Sequence, residues 1–453
     1  MQPTQGEHTS SLKPATGAGI ALALLLTINL LNYIDRSMLA AVEPVLTPEF
    51  NLDEGQAGLL ASAFLYAYML GAPLLGRLAE RFSRWWIIGA SVLVWSLASG
   101  WTGMASTYAM LLVSRIAVGF GEAGYGPAAP ALIADYFPIA RRGKVMALFY
   151  LAIPVGSALG YVIGGKVNQA WGWRYAFYLA VIPGVILAAI SFLRKDPRPV
   201  RTVTTVKPSL LQDAKVLLKN PSYVLNTAAM TAMTFAIGGI SFWIPKYMLE
   251  RMAADDGLAT QWALEAMNGI LSPATAMRKN ELLDDVNTTF GIIVVIAGIV
   301  STFMGGWLAD KLRPRWSGAY FTLSGLAIAL AFPCTLLMIS LPFPYAWVAV
   351  FGSVFFLFFN TGPANTALAN VTSSRMRATA FALNIFFIHA LGDAISPPLV
   401  GYVKRHTNWE TAFTLVSLMM VLASALWLMA AKYLGRDTEA AEATDRATDS
   451  PSS

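Results

Sequence analysis

After seventeen mostly polar residues, the chain alternates long apolar runs with short polar segments almost to its end. A helix needs about 20 apolar residues to cross a ~30 Å hydrocarbon core. About twelve stretches meet that length: 18–44, 55–78, 85–104, 107–135, 143–167, 173–194, 221–250, 286–309, 317–340, 344–371, 378–403 and 409–433. The pattern predicts an all-α integral membrane protein with twelve transmembrane helices. A polar linker over 195–220 separates six stretches from six; it opens with KDPRPVR and contains the amphipathic SLLQDAKVLLKN. The expected organisation is a tail over 1–17, a six-helix bundle over 18–194, the linker, a second bundle over 221–434, and a disordered tail over 435–453. Between the seventh and eighth stretches, 251–285 reads as a long external loop with a short helix around 259–270.

Composition agrees, with 56% hydrophobic and 13% charged residues against about 25% charged in a soluble domain. Of the 32 Lys and Arg, 22 lie on the side shared by both termini and the linker, eight on the other side, and two within apolar stretches. The positive-inside rule makes the richer side cytoplasmic. The expectation is a multi-pass protein of a bacterial-type inner (plasma) membrane with both termini in the cytoplasm. The same scatter sets aside a nucleic-acid partner, because no recognition element accompanies the charge. The N-terminus has no basic segment before a short apolar core, so no removable signal peptide is read. The single cysteine, Cys334, allows no internal disulfide. No P-loop, HExxH or GxSxG string occurs, which argues against an ATP-driven pump, an intramembrane hydrolase or any other enzyme. No cofactor or metal is expected.

The two halves repeat. GRLAERFSRW begins at Gly76 and GWLADKLRPRW at Gly306, 230 residues apart, each between the second and third stretch of its half. A weaker echo pairs RRGKVMALFYLAIPVGSALG from Arg141 with RMRATAFALNIFFIHALGDA from Arg375. Duplicated units of this kind build secondary transporters, with the substrate site between the halves, and they speak against a channel.

Charge inside the apolar stretches locates candidate chemistry. In LLTINLLNYIDRSMLAAV, Asp35 and Arg36 stand side by side in the first stretch. A charge at mid-bilayer costs at least about 2.5–3.5 kcal/mol, so such pairs persist where they face the bundle interior. Asn29, Asn32 or Tyr33, and Arg36 recur at helical spacing, giving a polar stripe that would line a cavity. Arg115 and Glu122 lie two turns apart on the fourth stretch, among Gly119, Gly121, Gly124 and Gly126, with Pro127 and Pro130 just beyond. The plain alternative is an ion-pair network that only fixes one helix to another. In the functional reading Asp35 and Glu122 exchange protons. Arg36 and Arg115 alternate between them and an anionic headgroup, and Asn32 and Tyr33 complete the binding wall. Arg suits phosphate because its planar fork bonds two oxygens at once. The second half offers His389 and Asp393 at i, i+4, with Met230, Met233, Phe235 and FGSVFFLFFN. A cavity charged on one wall and apolar on the other suits a lipid with an ionic head. Against that, the phenylalanines could face bilayer lipid, and His389 with Asp393 could be a local hydrogen-bonded pair.

The G-x-x-x-(D/E)-(R/K) strings Gly76, Glu80, Arg81 and Gly306, Asp310, Lys311 resemble the loop signature of the major facilitator superfamily. NYIDR at 32–36, SRIAVGFGEAGYGPAAPALIAD at 114–135 and FYLAIPVGSALGYVIGGKV at 149–167 look like the Spinster transporters, proposed carriers of lysophospholipids and sphingosine phosphate. The resemblance implies two pseudo-symmetric six-helix bundles and alternating access. It also implies proton coupling and headgroup binding at the four charged positions. Glu80, where the superfamily usually has Asp, and Pro314 in the second copy depart from the pattern. Gly76, Glu80, Arg81, Arg84 and Asp135, with Gly306, Asp310 and Lys311, are expected to form a cytoplasmic latch that holds the outward-facing state. The function expected is proton-coupled transport of amphiphilic lysolipids by a monomer surrounded by membrane lipid. The alternative is an organic-anion or drug transporter of the same superfamily, since NYxDR also occurs among organic-anion and sugar-acid symporters.

Overall fold

The computed structural model describes residues 15–197, 210–255, 257–267, 272–373 and 375–449. Nearly all of them are helical, and no strand occurs among the described residues. The first half holds α1 (Ala18–Glu49), α2 (Glu54–Arg81), α3 (Arg84–Gly103), α4 (Tyr108–Glu122), α5 (Tyr125–Tyr136), α6 (Ile139–Tyr150), α7 (Ala152–Trp171) and α8 (Trp173–Phe192). A short α9 (Leu210–Leu217) precedes the second half, which holds α10 (Pro221–Asp255), α11 (Leu258–Met267), α12 (Pro273–Leu312), α13 (Ala319–Ser340), α14 (Tyr345–Phe359), α15 (Thr361–Asn370), α16 (Arg377–Ile388), α17 (Ser396–His406) and α18 (Trp409–Ala430). A five-residue π-helical turn, His389–Asp393, joins α16 to α17, and α19 (Leu434–Asp449) ends the described chain.

Among the described residues, eleven helical segments are long and apolar enough to cross a membrane. The twelfth expected stretch, 107–135, is divided into α4 and α5, each too short alone. The division has a cause in the sequence. A proline ring clashes with the carbonyl four residues earlier and lacks the amide that would bond it. Four residues before Pro127 is Ala123, where α4 stops; before Pro154 is Tyr150, the last residue of α6; before Pro363 is Phe359, the last of α14; and before Pro397 is Asp393, the last of the π turn. Proline alone is not sufficient, because Pro73, Pro183, Pro245 and Pro333 lie inside unbroken helices.

Caps set several starts. Asp53 and Gln56 form a reciprocal capping box on α2, with bonds of 2.8 and 3.1 Å. Thr107 caps α4 and Asn408 caps α18. Ser272, followed by Pro273 at the first helical position, starts α12. That start corrects the expected 251–285 loop: α10 continues to Asp255, α12 begins at Pro273, and the intervening helix is α11. The tail expected to be disordered from 435 is instead helical to Asp449. Asp437 accepts the Ser222 amide at 3.0 Å, Leu434 is buried, and Glu442 pairs with Arg446 one turn on.

The start of α1 is anchored by the Ala15 amide on the Tyr136 carbonyl (2.9 Å) and by Arg194 on the Gly17 carbonyl (3.2 Å). Both ends of the described chain therefore lie at one face of the bundle, termed the terminal face. Polar ties between the two halves cluster at the opposite, far face. Lys404 pairs with Glu54, Arg405 with Asp53 at 2.7 Å, Lys166 with Asp284 at 3.2 Å, and Lys246 with Glu43 at 3.4 Å. Asn287 donates to the Ala41 carbonyl at 3.0 Å. Gly58 lets α2 press against the backbone of Pro397 and Pro398, where any side chain would collide. The halves are thus drawn together at the far face.

Candidate functional site

Two charged pairs cross between α1 and α4. Arg36 donates Nε–H to Glu122 Oε2 at 2.8 Å and places its terminal nitrogen 2.7 Å from the same oxygen. Arg115 lies 3.9 Å from Asp35 Oδ2, and Asp35 also accepts the Ser99 hydroxyl from α3. Asp35, Arg115 and Glu122 are all about 1% exposed, whereas the Arg36 side chain is 22% exposed. Asn32 is buried beside Glu122.

Both pairs are incompletely bonded. Asp35 Oδ2, Glu122 Oε1, and Nε and one terminal nitrogen of Arg115 are buried without a hydrogen-bond partner. Buried charges that only brace a fold are expected to be fully satisfied, and apolar replacement of such pairs is often neutral or stabilising. Here four buried polar atoms of the two pairs retain open bonding capacity.

Aromatic rings surround the exposed guanidinium. Arg36 lies 5.2 Å from the Tyr33 ring centroid, 4.8 Å from Phe64 and 5.3 Å from Tyr68. Phe64 also lies 5.3 Å from Arg115 and so stands between the two cations. Gly119 brings these elements together, because a side chain there would strike the Phe64 backbone carbonyl; only a bare backbone lets α4 approach α2 so closely. Phe64 and Tyr68 escaped the sequence reading, although their i, i+4 spacing in FLYAY was available. Ser99, a hydroxyl in an apolar helix, escaped it too.

The second half meets the first across Tyr68, whose ring packs edge-on to His389 at 6.2 Å. His389 Nδ1 lies 3.0 Å from both Asp393 oxygens inside the π turn, and Asp393 is near enough to Tyr33 to interact electrostatically. π turns recur at functional sites. Met230 and Met233 are buried in the core and do not line the space between the halves; the Met230 sulfur receives Asn226 and Asn384. Arg115, expected beside Arg36 as a headgroup ligand, is buried behind the wall in this conformation, 3.9 Å from Asp35.

The residues expected to form a latch are engaged within their own halves. Arg84 binds Asp135 and, at 3.3 Å, Asp196. Asp310 accepts the Tyr320 hydroxyl at 2.7 Å, and Lys311 lies over the Trp307 ring. Gly76 faces Pro127 of α5, Gly306 packs near Gly362, and Arg81 is exposed. The Glu80 side chain lies outside the described residues.

Eleven spanning helical segments and a divided twelfth stretch among the described residues, with charge buried inside the first half, describe a polytopic membrane protein, and the sequence profile described as Major Facilitator Superfamily matches residues 25–387. The chain belongs to the Spinster family of that superfamily. It is 30% identical to a sphingosine-1-phosphate transporter of Xenopus tropicalis, covering 98% of this chain and 88% of the relative. It is 32% identical to the protein spinster of Drosophila melanogaster over 85% of this chain, and spans 61% of that relative's length. A solved bacterial homologue of the human lysosomal transporter Spinster, described as inward-facing and unoccupied, superposes with a TM-score of 0.73 at 19% identity, covering 94% of this chain and 98% of that one. The family is one of transporters and not of an enzyme class.

Proposed function

We propose that the protein is a proton-coupled secondary transporter of lysolipids bearing an anionic headgroup, of lysophospholipid or sphingosine-phosphate type. The observation that carries this reading is Arg36: a partly exposed guanidinium, held by Glu122 and caged by three rings, on the wall between the halves. The cage fixes the fork for a bidentate phosphate contact, and the rings suit the first methylenes of a chain. The name of the Xenopus relative supports the same substrate class. When Arg36 turns to a headgroup, Glu122 is left as an uncompensated buried carboxylate, which a proton relieves. Return of Arg36 expels that proton. Arg115 and Asp35 form the parallel pair, with Ser99 holding Asp35 in place. Asn32 and Tyr33 flank the headgroup.

With the termini in the cytoplasm of a plasma membrane, the face at which the halves are tied is external and the conformation faces inward. In the opposite state the helix ends Gly76–Arg81 of α2 and Gly306–Lys311 of α12, with Arg84 and Asp135, exchange their partners for contacts across the halves. The working unit is a monomer. The test is uptake of a labelled lysolipid into proteoliposomes with and without a pH gradient, with a small carboxylate as competitor. Gradient-stimulated uptake that the carboxylate leaves untouched is expected. Carboxylate uptake with no lysolipid binding would overturn the substrate class in favour of an organic-anion transporter.

A further inference from the structure

Glu43 is a buried carboxyl with no part in the central pairs. It lies on α1 seven residues beyond Arg36, about 10 Å along the helix axis, where the halves are tied at the far face. The residue is 1% exposed. One oxygen, Oε1, takes the Thr47 hydroxyl and the Lys246 ammonium, the latter at 3.4 Å. The other, Oε2, is buried without a hydrogen-bond partner. A carboxylate oxygen that has given up water and gained no donor is costly, and a proton placed on it removes that cost. A cavity of about 530 Å³ at the far face is lined by Thr47 and Lys246, so solvent on that side reaches both donors of Glu43.

The charges around Glu43 balance, but they are divided unequally between the halves. The first half supplies Glu43 on α1 and Glu54 on α2; the second supplies Lys246 and Glu250 on α10, Lys279 on α12 and Lys404 on α17. Lys246 also lies 3.9 Å from Glu54, which pairs with Lys404. Lys279 interacts electrostatically with Lys246, Glu43 and Glu250. Glu250 accepts the Trp409 indole at 2.7 Å and acts on Glu43 as a like charge. The other helices beside α1 keep their charges for other partners: Lys166 of α7 pairs with Asp284, and Arg174 of α8 with Glu49. The first half thus presents two negative charges to a net two positive charges on the second, and their attraction favours closure. One proton on Glu43 halves the negative side and leaves Lys246, Lys279 and Lys404 with less to offset their mutual repulsion.

We propose that Glu43 is a proton-binding group of the far face, and that a proton arriving from that side frees Lys246 and opens the joint between the halves. The proton comes from far-side water and bonds to Oε2, giving a neutral acid. Lys246 stays an ammonium and turns to Glu54, Glu250 and the solvent of the cavity. Closure brings Lys246 back to Glu43 and returns the proton to the far side. Because the neutral acid belongs to the open state, protons shift the population toward it in proportion to their preference for that state. None of these steps involves Arg36 or Glu122, so the gate stands or falls apart from the central site.

The test uses the full chain in phosphatidylcholine nanodiscs, with Cys334→Ser and spin labels at Ser106→Cys and Thr407→Cys, one on the far face of each half. Distance distributions are recorded without substrate between about pH 8 and about pH 5, a range that brackets a buried carboxyl. The long-distance population should rise about threefold or more as the pH falls. In Glu43→Gln it should be high at every pH. The double variant Glu43→Gln with Lys246→Met, which leaves no stranded charge, should also be high and flat, and serves if the single variant does not fold. Infrared difference spectra across the same pH step should show a protonated-carboxyl band in the Cys334→Ser protein that shrinks in Glu43→Gln or in the double variant. A distance distribution that ignores pH in the Cys334→Ser protein, a pH response that survives the loss of Glu43, or an undiminished carboxyl band would each overturn the proposal; the last two assign the proton to another group, such as His406 beside the label or Glu122.

Discussion

Glu122→Gln separates the proposed coupling role of the central pair from its structural role. Removing one partner of a fully buried ion pair costs about 3–5 kcal/mol, but three features of this site reduce that. The amide keeps an oxygen within reach of the Arg36 Nε–H, and such a bond retains about 1 kcal/mol. Arg36 also keeps its rings at 4.8–5.3 Å, each worth about 0.5–1 kcal/mol at partly exposed sites. Its side chain is 22% exposed, so water compensates part of the freed charge. The net loss comes to about 1–2 kcal/mol, from the same ranges, and the protein should fold with its melting temperature lowered by a few degrees. Function should change far more. Gln mimics the protonated acid permanently, so lysolipid binding should stay within about threefold of wild type, below the tenfold that 1.4 kcal/mol represents, while the response of uptake to an imposed pH gradient disappears. The assay is proteoliposome uptake of labelled lysolipid at matched and unmatched internal pH, with binding to detergent-solubilised protein measured in parallel. A full gradient response in Glu122→Gln refutes the assignment, and a wild type that ignores the gradient makes the protein a facilitator.

Asp35→Asn should be the costlier neutralisation. It removes the carboxylate nearest to Arg115, which is 1% exposed, so thermal unfolding in detergent should show a loss nearer ~3–5 kcal/mol. Gly119→Val should separate α2 from α4 against the Phe64 backbone and cost at least ~1–3 kcal/mol. Gly19→Ala, where nothing lies within 4 Å, should leave the same melting curve unchanged or slightly raised. Glu54→Gln removes the carboxylate shared by Lys246 and Lys404; spin-label distances across the far face should shift toward separation without ligand, and an unchanged distribution would show that these ties do not hold the closed state.

Much of this architecture is written in local pattern, and what is not depends on partners distant in the chain. The spans, the repeat from Gly76 to Gly306 and the isolation of Asp35, Arg36, Arg115 and Glu122 in apolar sequence all follow from membrane energetics acting residue by residue. The crossed pairing, Arg36 with Glu122 and Arg115 with Asp35, requires the rotation of α1 against α4, which no single helix encodes. Phe64 and Tyr68 were hidden because α2 is apolar on every side, so spacing alone does not say which face turns inward. The helical tail was misread for a different reason. Its polarity suggested a solvated segment, yet Ala-rich spacing and the Glu442–Arg446 pair favour helix, and the bond from Ser222 to Asp437 spans 215 residues. Likewise Ser272 before Pro273 was a legible helix start within what composition presented as a loop.

The distribution of charge also bears on how readily the halves rock. At the far face, Arg405 and Asp53 are half exposed and a third exposed, and the Lys166 side chain is 58% exposed; pairs of that kind contribute roughly 0–1 kcal/mol each. Only Lys246 with Glu43 is buried on both sides. At the terminal face, Arg84, Asp135, Asp196, Asp310 and Tyr320 satisfy one another within their own halves, so the halves can part there without stranding these charges. Neither arrangement commits the molecule deeply, because the exposed ties are weak and the terminal-face charges already have partners. Weak ties of this kind set a low barrier of paired charge against parting at either face, and where two such conformations lie close in free energy a modest differential interaction exchanges their populations. On the proposed reading the Arg36–Glu122 pair would supply that difference, since a headgroup or a proton would each change which of its members is compensated, whereas the surface ties would change little with either.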